Sequence, residues 1–373
     1  MCAGGGITGA VYEIGCLRAL EDLLDRSMLD LDLYVGISGG AFVSALLANG
    51  ISPLEMYDEV ATGRPFGLSS APVYRLGLKD LARRSARAPR VLRDAVVTAL
   101  GGQGRNAADL VLPLFELLPA GLLDNSGIQE FLAGVFRARG RSDRFRDLAR
   151  ELLLVAVDLD SGEAVAFGDA AHRGVRISRA VQASTALPGL YRPVRIGGRD
   201  YVDGGVKKTA HINLAIRRGA DLVICINPIV PILNTGPKAP LKGHLSGKGV
   251  SFVLDQVLRI MLHGRMQYGL ERYQAEHPEV DILLVEPSRD DMRMFGYNIM
   301  RMSARKVVVE DGYRSVLQSF RRRRAAYARI LKRHGIRLGD PARLPPRPVG
   351  HPHRSPLARS LASSLDLLEA KLG

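Results

Sequence analysis

The chain has 373 residues, of which 46% are hydrophobic and 24% charged, so it can form one large α/β domain with insertions or two smaller domains. A net charge of +14 and a pI of about 10.0 suit an anionic partner, either nucleic acid or a membrane surface rich in acidic lipids. An Ala/Arg/Gly-rich composition is the simpler explanation of this charge.

No stretch approaches the roughly 18 to 20 uninterrupted apolar residues that cross a bilayer. The first residues also lack the basic and apolar regions of a secretion signal. The cysteines Cys2, Cys16 and Cys225 are scattered, which indicates a reducing compartment without a disulfide framework or a cysteine metal site. We therefore expect a cytoplasmic location, with peripheral association at the inner membrane face as an option.

A glycine-rich segment opens the chain and leads into a predicted helix. Gly4, Gly6 and Gly9 satisfy G-x-G-x-x-G, and Asp30 or Asp32 follows at the distance of a ribose-binding acid. No full strand precedes these glycines, which weakens a dinucleotide interpretation. Glycines before a helix N-terminus leave backbone N–H groups free to bind a phosphate or the oxyanion of a tetrahedral intermediate.

Residues 31–50 predict a strand, a sharp turn and a helix. The turn at 36–40 reads GISGG and fits G-x-S-x-G, and an apolar run with helical spacing follows it. In a nucleophile elbow the serine adopts a strained backbone conformation, its neighbours lack a Cβ, and a helix N-terminus follows. We therefore single out Ser38 as a candidate nucleophile. The glycines expected to support the elbow are Gly36, Gly39 and Gly40.

Residues 51–125 read as an irregular, basic insertion. Prolines and the glycine-rich break at 101–104 interrupt short helical pieces whose charged residues are mostly arginines. An insertion of this kind beside an active site can act as a lid or as a membrane-contact surface. Ordinary surface helices fit the same pattern.

Strands and helices alternate through the next part of the chain, after a predicted helical pair at 126–150. The predicted strands are 152–157, 164–167, 194–196, 200–202, 221–226 and 282–285. This alternation predicts an α/β fold with a mainly parallel sheet covered on both faces by helices.

The domain organisation follows from these patterns. We place the catalytic domain at 1–230, including the basic insertion. Residues 231–339 are expected to complete the domain with a strand and helices, the helices at about 251–275 and 300–335. Residues 340–373 predict a Pro-rich extended tail with a short amphipathic segment.

A serine hydroxyl needs a base to become an effective nucleophile. Asp203 follows a predicted strand, and a carboxylate can act directly when partial burial raises its pKa and it reaches the hydroxyl. The chain order Ser38, Asp158 or Asp203, and His211 would instead suit a Ser–His–Asp triad. The residues alone leave both arrangements open.

Four ordered blocks of this sequence resemble the patatin-like phospholipases. They read GGGITG at 4–9, GISGG at 36–40, ASTALPGL at 183–190 and YVDGG at 201–205, and the strand and turn at 157–162 are also similar. The similarity extends over most of the first 230 residues. It implies a three-layer α/β/α fold with a mainly parallel central sheet, to which the helical insertion and C-terminal helices are added.

By this resemblance, Ser38 attacks an acyl carbonyl and Asp203 is the general base of a Ser–Asp dyad. The implied oxyanion hole is Gly4, Gly5 and Gly6, and Gly204 and Gly205 support the dyad. The implied reaction is hydrolysis of fatty-acyl esters of phospholipids or related lipids through an acyl-enzyme, with no cofactor and no metal. The expected partners are the lipid substrate and an anionic membrane surface, and no nucleic acid is expected.

Two positions depart from the family pattern. The family has a full hydrophobic strand before the glycine loop, whereas only residues 1–3 precede it here, so we expect a weakly anchored loop. Position 8, often basic in the family, is Thr8, which implies a different interaction with lipid head groups.

Two other function classes remain as alternatives. One is a Ser–His–Asp carboxylesterase acting on soluble esters, for which His211 would be essential. The other is a catalytically inactive or nucleotide-binding protein that uses the glycine-rich loop to bind phosphate. Reaction of Ser38 with a fluorophosphonate separates the inactive protein from both enzymes.

Overall fold

The computed structural model describes residues 1–62, 75–76, 89, 93, 120–236, 239, 241–287, 305–342 and 344. The basic helical pieces expected within 63–119 and most of the expected tail lie outside these residues. Those expectations, and the domain boundaries at 230 and 339, stay predictions.

The described residues form an α/β structure in which helices and strands alternate along much of the chain. Its helices are α1 (Gly6–Leu23), α2 (Gly39–Ala48), α3 (Pro53–Thr62), α4 (Ser126–Ala138), α5 (Ile177–Ser184), α6 (Ile212–Arg217), α7 (Val250–Glu276), α8 (Arg305–Arg322) and α9 (Arg324–Arg333). Its strands are β1 (Leu33–Ile37), β2 (Arg75–Leu76), β3 (Gly121–Asp124), β4 (Glu151–Asp158), β5 (Ala164–Phe167), β6 (Gly189–Tyr191), β7 (Val194–Ile196), β8 (Arg199–Asp203), β9 (Leu222–Ile226) and β10 (Asp281–Val285).

The predicted strands are present, with their ends shifted by at most two residues. The helical pair expected at 126–150 is wrong. Only α4 is an α-helix there, and the chain then passes through a 3₁₀ turn at Phe145–Asp147 into β4. The short strands β2, β3 and β6 form a small separate sheet.

The central sheet is parallel on one side and antiparallel on the other. β1 runs parallel to β4, and β9 runs parallel to β10. Cys2 forms parallel bridges to both β1 and β9 and so connects these two pairs. On the other side, β5 and β8 pair antiparallel with β4, and β7 pairs antiparallel with β8. The predicted α/β class is confirmed.

Residues 1–3 act as a short strand in the middle of this sheet. The N–H of Cys2 donates to the carbonyl of Val35, and the N–H of Ala3 donates to the carbonyl of Ile226, both at 2.9 Å. The N–H of Ile226 donates in turn to the carbonyl of Met1 at 2.9 Å. The expectation of a weakly anchored glycine loop is therefore wrong, because these residues hydrogen-bond to buried strands on both sides.

Helices cover both faces of the sheet. Leu152 and Leu154 of β4 belong to the core cluster that includes residues of α1, α2 and α8. Leu153 and Val155 point to the opposite face, where α6 and α7 pack. These two cores account for the three-layer α/β/α arrangement. Among the described helices, none has the length and apolar character needed to cross a membrane.

Two glycines allow α1 and α8 to cross at very short range. A Cβ on Gly15 would lie 1.9 Å from the carbonyl oxygen of Val309, and a Cβ on Gly312 would lie 2.2 Å from that of Tyr12. Cys16 adds a hydrogen bond from its thiol to the carbonyl of Gly312, at 3.3 Å. The backbone of α8 thus fixes the middle of α1.

We expect Gly15→Ala to lower the free energy of unfolding by about 3 kcal/mol, because the two helices must separate to admit a methyl group. Urea denaturation followed by circular dichroism measures this change. Gly264→Ala on α7 is the matched control, because its Cβ would meet nothing within 4 Å and the change should stabilise the helix slightly. Equal stability of the Gly15 variant and the wild type would contradict the close crossing.

Candidate active site

Strands β1 and β8 meet end to end on one edge of β4. β5 pairs with residues 154–157 of β4. Some of these residues also pair with β1 and others with β8, and a strand residue has only one neighbouring strand on each edge, so β5 occupies the edge opposite to both. β1 and β8 must therefore share the other edge. They run toward each other along it, with Ile37 opposite Val155 and Asp203 opposite Ala156. This register brings the residue after Ile37, which is Ser38, next to Asp203.

Ser38 forms the sharp turn between β1 and α2. Its φ of 53° makes it the sole non-glycine residue with a positive φ in the described part of the chain. Side chains other than glycine rarely adopt this conformation, so the surrounding contacts must hold it. The N–H of Ser38 donates to Oγ of Ser184 at 2.9 Å, and that hydroxyl donates to the carbonyl of Val155 at 2.5 Å. Ser184 thus ties the turn to β4.

The three glycines predicted to support the turn lie where a side chain would strike neighbouring backbone. A Cβ on Gly39 would lie 2.3 Å from the carbonyl oxygen of Gly6, and one on Gly40 would lie 2.3 Å from that of Cys2. A Cβ on Gly36 would lie 2.7 Å from the carbonyl oxygen of Gly40. The opening loop and the serine turn therefore pack directly against each other.

The loop formed by Gly4, Gly5 and Gly6 borders the serine side chain. A Cβ on Gly4 would lie 2.7 Å from Cβ of Ser38. Gly5 and Gly6 have φ values of 127° and 62°, and Gly5 is the N-cap of α1. The N–H groups of a first helical turn have no intrahelical partner and carry the positive end of the helix dipole. The loop therefore presents backbone donors beside Ser38.

Asp203 ends β8 and is 3% exposed. Its burial raises the pKa of the carboxyl to about 6, and hydrogen bonds from the Ser38 side chain and from the N–H of Gly205 partly offset this effect. The bond from Gly205 to Oδ1 is 2.8 Å long. A Cβ on Gly204 would lie 2.4 Å from the carbonyl oxygen of Val155, so this turn also packs tightly on β4.

The residues of the alternative triad are placed differently. His211 is buried, which lowers the pKa of its imidazole to about 4, and its Nε2 lies 3.5 Å from the carbonyl oxygen of Gly204. Within the described part of the chain it has no hydrogen bond to Ser38. Asp158 is the last residue of β4 and forms an ion pair of 2.6 Å with Arg199.

A largely apolar cleft of about 920 Å³, measured with its open mouth, lies over Ser38 and Asp203. Apolar side chains that line it are Leu187, Leu190, Tyr191, Val206, Leu258 and Leu262. Two charged residues of α7, Asp255 and Arg259, also reach it and pair with each other at 2.9 Å. No cluster of residues suited to bind a metal occurs among those that the structure describes.

The sequence does not reveal the roles of two parts of this site. Ser184 lies within one of the family-like blocks, but nothing in its pattern reveals that its hydroxyl bridges the serine turn and β4. The wall supplied by α7 comes from a region in which no motif was recognised. The inward-facing spacing of Leu258 and Leu262 indicates a buried face, but it does not indicate which surface that face covers.

Comparisons with known proteins indicate the family to which the chain belongs. The family model for patatin-like phospholipases matches residues 1–216. Two similar curated proteins, uncharacterised NTE family proteins of Mycobacterium tuberculosis (Rv2565) and Mycobacterium bovis (Mb2594), are each 24% identical over 225 residues. The alignments cover 60% of this chain and 29% of each relative, so the chain spans less than a third of the curated relatives it matches.

Among solved structures, VipD from Legionella pneumophila aligns with 91% of this chain and 67% of its own, at 16% identity and a TM-score of 0.41. The sequence match to the family model is the more informative result, because it covers more than half of the chain. This protein belongs to the patatin-like phospholipase family.

Proposed function

We propose that this protein is a serine acyl hydrolase that cleaves fatty-acyl esters of phospholipids or related lipids through a Ser38–Asp203 dyad and an acyl-enzyme intermediate. The observation that carries the proposal is the sheet register that places Ser38 beside the buried Asp203, where the serine side chain lowers the pKa of the carboxyl. The glycine loop beside Ser38 and the family membership support the same reaction class.

In the first half of the reaction, Asp203 accepts the proton of the Ser38 hydroxyl as Oγ attacks the acyl carbonyl. A carboxyl with a pKa of about 6 is mostly ionised at pH 7 and is a stronger base than an ordinary aspartate. The negative charge develops on the carbonyl oxygen, where backbone N–H groups of Gly5 and Gly6 can stabilise it by about 3 kcal/mol each. Asp203 then gives its proton to the departing alcohol.

In the second half, water attacks the acyl-enzyme. Asp203 accepts a proton from this water and returns it to Oγ of Ser38 as the fatty acid leaves. The apolar lining of the cleft favours a fatty-acyl chain over a small polar acyl group, because burying such a chain removes apolar surface from water.

We expect Ser38→Ala to abolish labelling by a fluorophosphonate probe and Asp203→Asn to slow ester hydrolysis by about 10²- to 10⁴-fold, because each removes one partner of the proton transfer. Gel fluorescence and hydrolysis of a fatty-acyl ester measure these effects. Ser246→Ala, an exposed serine of a 3₁₀ turn, is the matched control and should behave as the wild type. Continued labelling of the Ser38 variant would refute the assignment of the nucleophile.

The dependence of activity on pH distinguishes the two candidate bases. If Asp203 is the base, kcat/KM should rise through about pH 6 and reach a plateau above pH 7, because the carboxylate must be ionised. A base with the lowered pKa of His211 would place the rise near pH 4 instead. Loss of activity in His211→Gln together with such a low-pH rise would favour the Ser–His–Asp esterase.

The raised pKa of Asp203 also predicts how the free energy of unfolding depends on pH, which can be measured without an activity assay. Ionisation of this buried carboxyl destabilises the fold. The stability that Asp203 contributes in its neutral form is therefore fully present below its ordinary pKa of 3.8 and is lost as pH rises through about 6. Asp203→Asn should therefore be more stable than the wild type at pH 8 by roughly 2–3 kcal/mol, and the difference should shrink toward pH 4. Urea denaturation at both pH values measures it. A difference independent of pH would contradict the raised pKa.

A further inference from the structure

One side of α7 is apolar and faces solvent. The exposed apolar residues on this side are Val250, Val253, Leu254, Val257, Ile260, Met261 and Tyr268, with exposures between 38% and 73%. Their spacing of three and four residues aligns them along one side of the helix. We call this side the outward face of α7. A contiguous apolar surface of this kind marks an interaction site more often than a freely hydrated surface.

The charged residues in the first half of α7 lie on the side of the helix opposite to the outward face. Between Val250 and Leu262 the charged residues are Asp255 and Arg259, which pair with each other and line the cleft. Arg259 is 7% exposed, and it also donates to the carbonyl of Val230 at 3.3 Å. The polarity of a normal surface helix is thus inverted here, which indicates that an apolar partner covers the outward face.

The same helix forms a wall of the cleft. Leu258 and Leu262 line the cleft from the side opposite to the outward face. The hydroxyl of Thr209, six residues after Asp203 in the sequence, donates to the carbonyl of Leu262 at 2.7 Å. Gln256 exchanges two hydrogen bonds of 2.9 Å with the backbone of Ile232. The outward face therefore lies about one helix diameter, roughly 10 Å, from the cleft and is fixed to it.

Cations flank the outward face at both ends. Lys242 and Lys248 are exposed before α7 begins, and Arg265, which donates to the carbonyl of Val206 at 2.7 Å, is exposed beyond Met261. The acidic residues Glu271 and Glu276 occur in the last two turns of the helix. Apolar side chains bracketed by cations match a bilayer with anionic phosphates above its acyl chains. A second copy of the chain would bring the same cations together, which disfavours self-association through this face.

We propose that the outward face of α7 inserts into the surface of an anionic lipid bilayer and holds the cleft at the level of the acyl esters. This inference rests on the proposed function and deepens it, because it specifies how the cleft reaches a substrate that resides in a membrane. It assigns the membrane contact to residues outside the basic insertion at 51–125.

The test measures vesicle binding by the double variant Leu254→Asp/Met261→Asp, in a Ser38→Ala background so that lipid is not consumed. Flotation with vesicles of phosphatidylcholine and phosphatidylglycerol should show partition weakened by about tenfold or more, because two inserted apolar side chains become charged. Binding by the Ser38→Ala parent should fall in high salt and in vesicles of phosphatidylcholine alone. Leu159→Asp, a 52% exposed leucine after β4, is the matched control and should bind as the parent does.

The same double substitution in the active chain should leave hydrolysis of a soluble short-chain ester unchanged, which verifies that the variant folds. Unchanged vesicle binding by the double variant would overturn the proposal. A wild-type dimer that the double substitution converts to a monomer, with vesicle binding unaltered, would assign the face to a second copy instead. If no ester is hydrolysed while vesicle binding still depends on Leu254 and Met261, the proposed function fails and the membrane contact stands.

Discussion

The end-to-end meeting of β1 and β8 on one edge of β4 is the constraint on which the site depends. Neither strand could extend further without displacing the other, so each must turn away from the sheet at the same point. The turn after β1 contains Ser38, and β8 ends on Asp203. The sheet register therefore sets the proximity of hydroxyl and carboxylate, and the side chains need only rotate into contact.

Burial of Asp203 and the strained turn at Ser38 both cost stability, and the surrounding structure compensates for them. Residues 1–3 are hydrogen-bonded between two strands, and the hydroxyl of Ser184 satisfies the N–H of Ser38. Both contacts hold backbone, so they fix the glycine loop and the main chain of Ser38. A rigid support of this kind is what electrostatic stabilisation of a transition state requires.

Much of this arrangement could be predicted from the sequence, because local patterns determine it. The strand–turn–helix around Ser38 and the strand leading to Asp203 have short-range signals. The strand role of residues 1–3 could not be predicted, since so short a run has no periodicity and pairs with strands distant in sequence. The bridging role of Ser184 and the cleft wall from α7 likewise depend on tertiary contacts. The position of Asp203 after a predicted strand and before two glycines favours it over His211, and the family resemblance implies its role as the base.

The crossing of α1 and α8 has a consequence for the loop at the start of the chain. The first turn of α1 is continuous with that loop, because the helix begins at Gly6. The close approach of Gly15 to α8 fixes the position of α1 along α8. A shift of α8 along its axis would therefore displace the backbone donors next to Ser38. The position of these donors is thus governed partly by α8, a described helix that contributes no residue to the lining of the cleft.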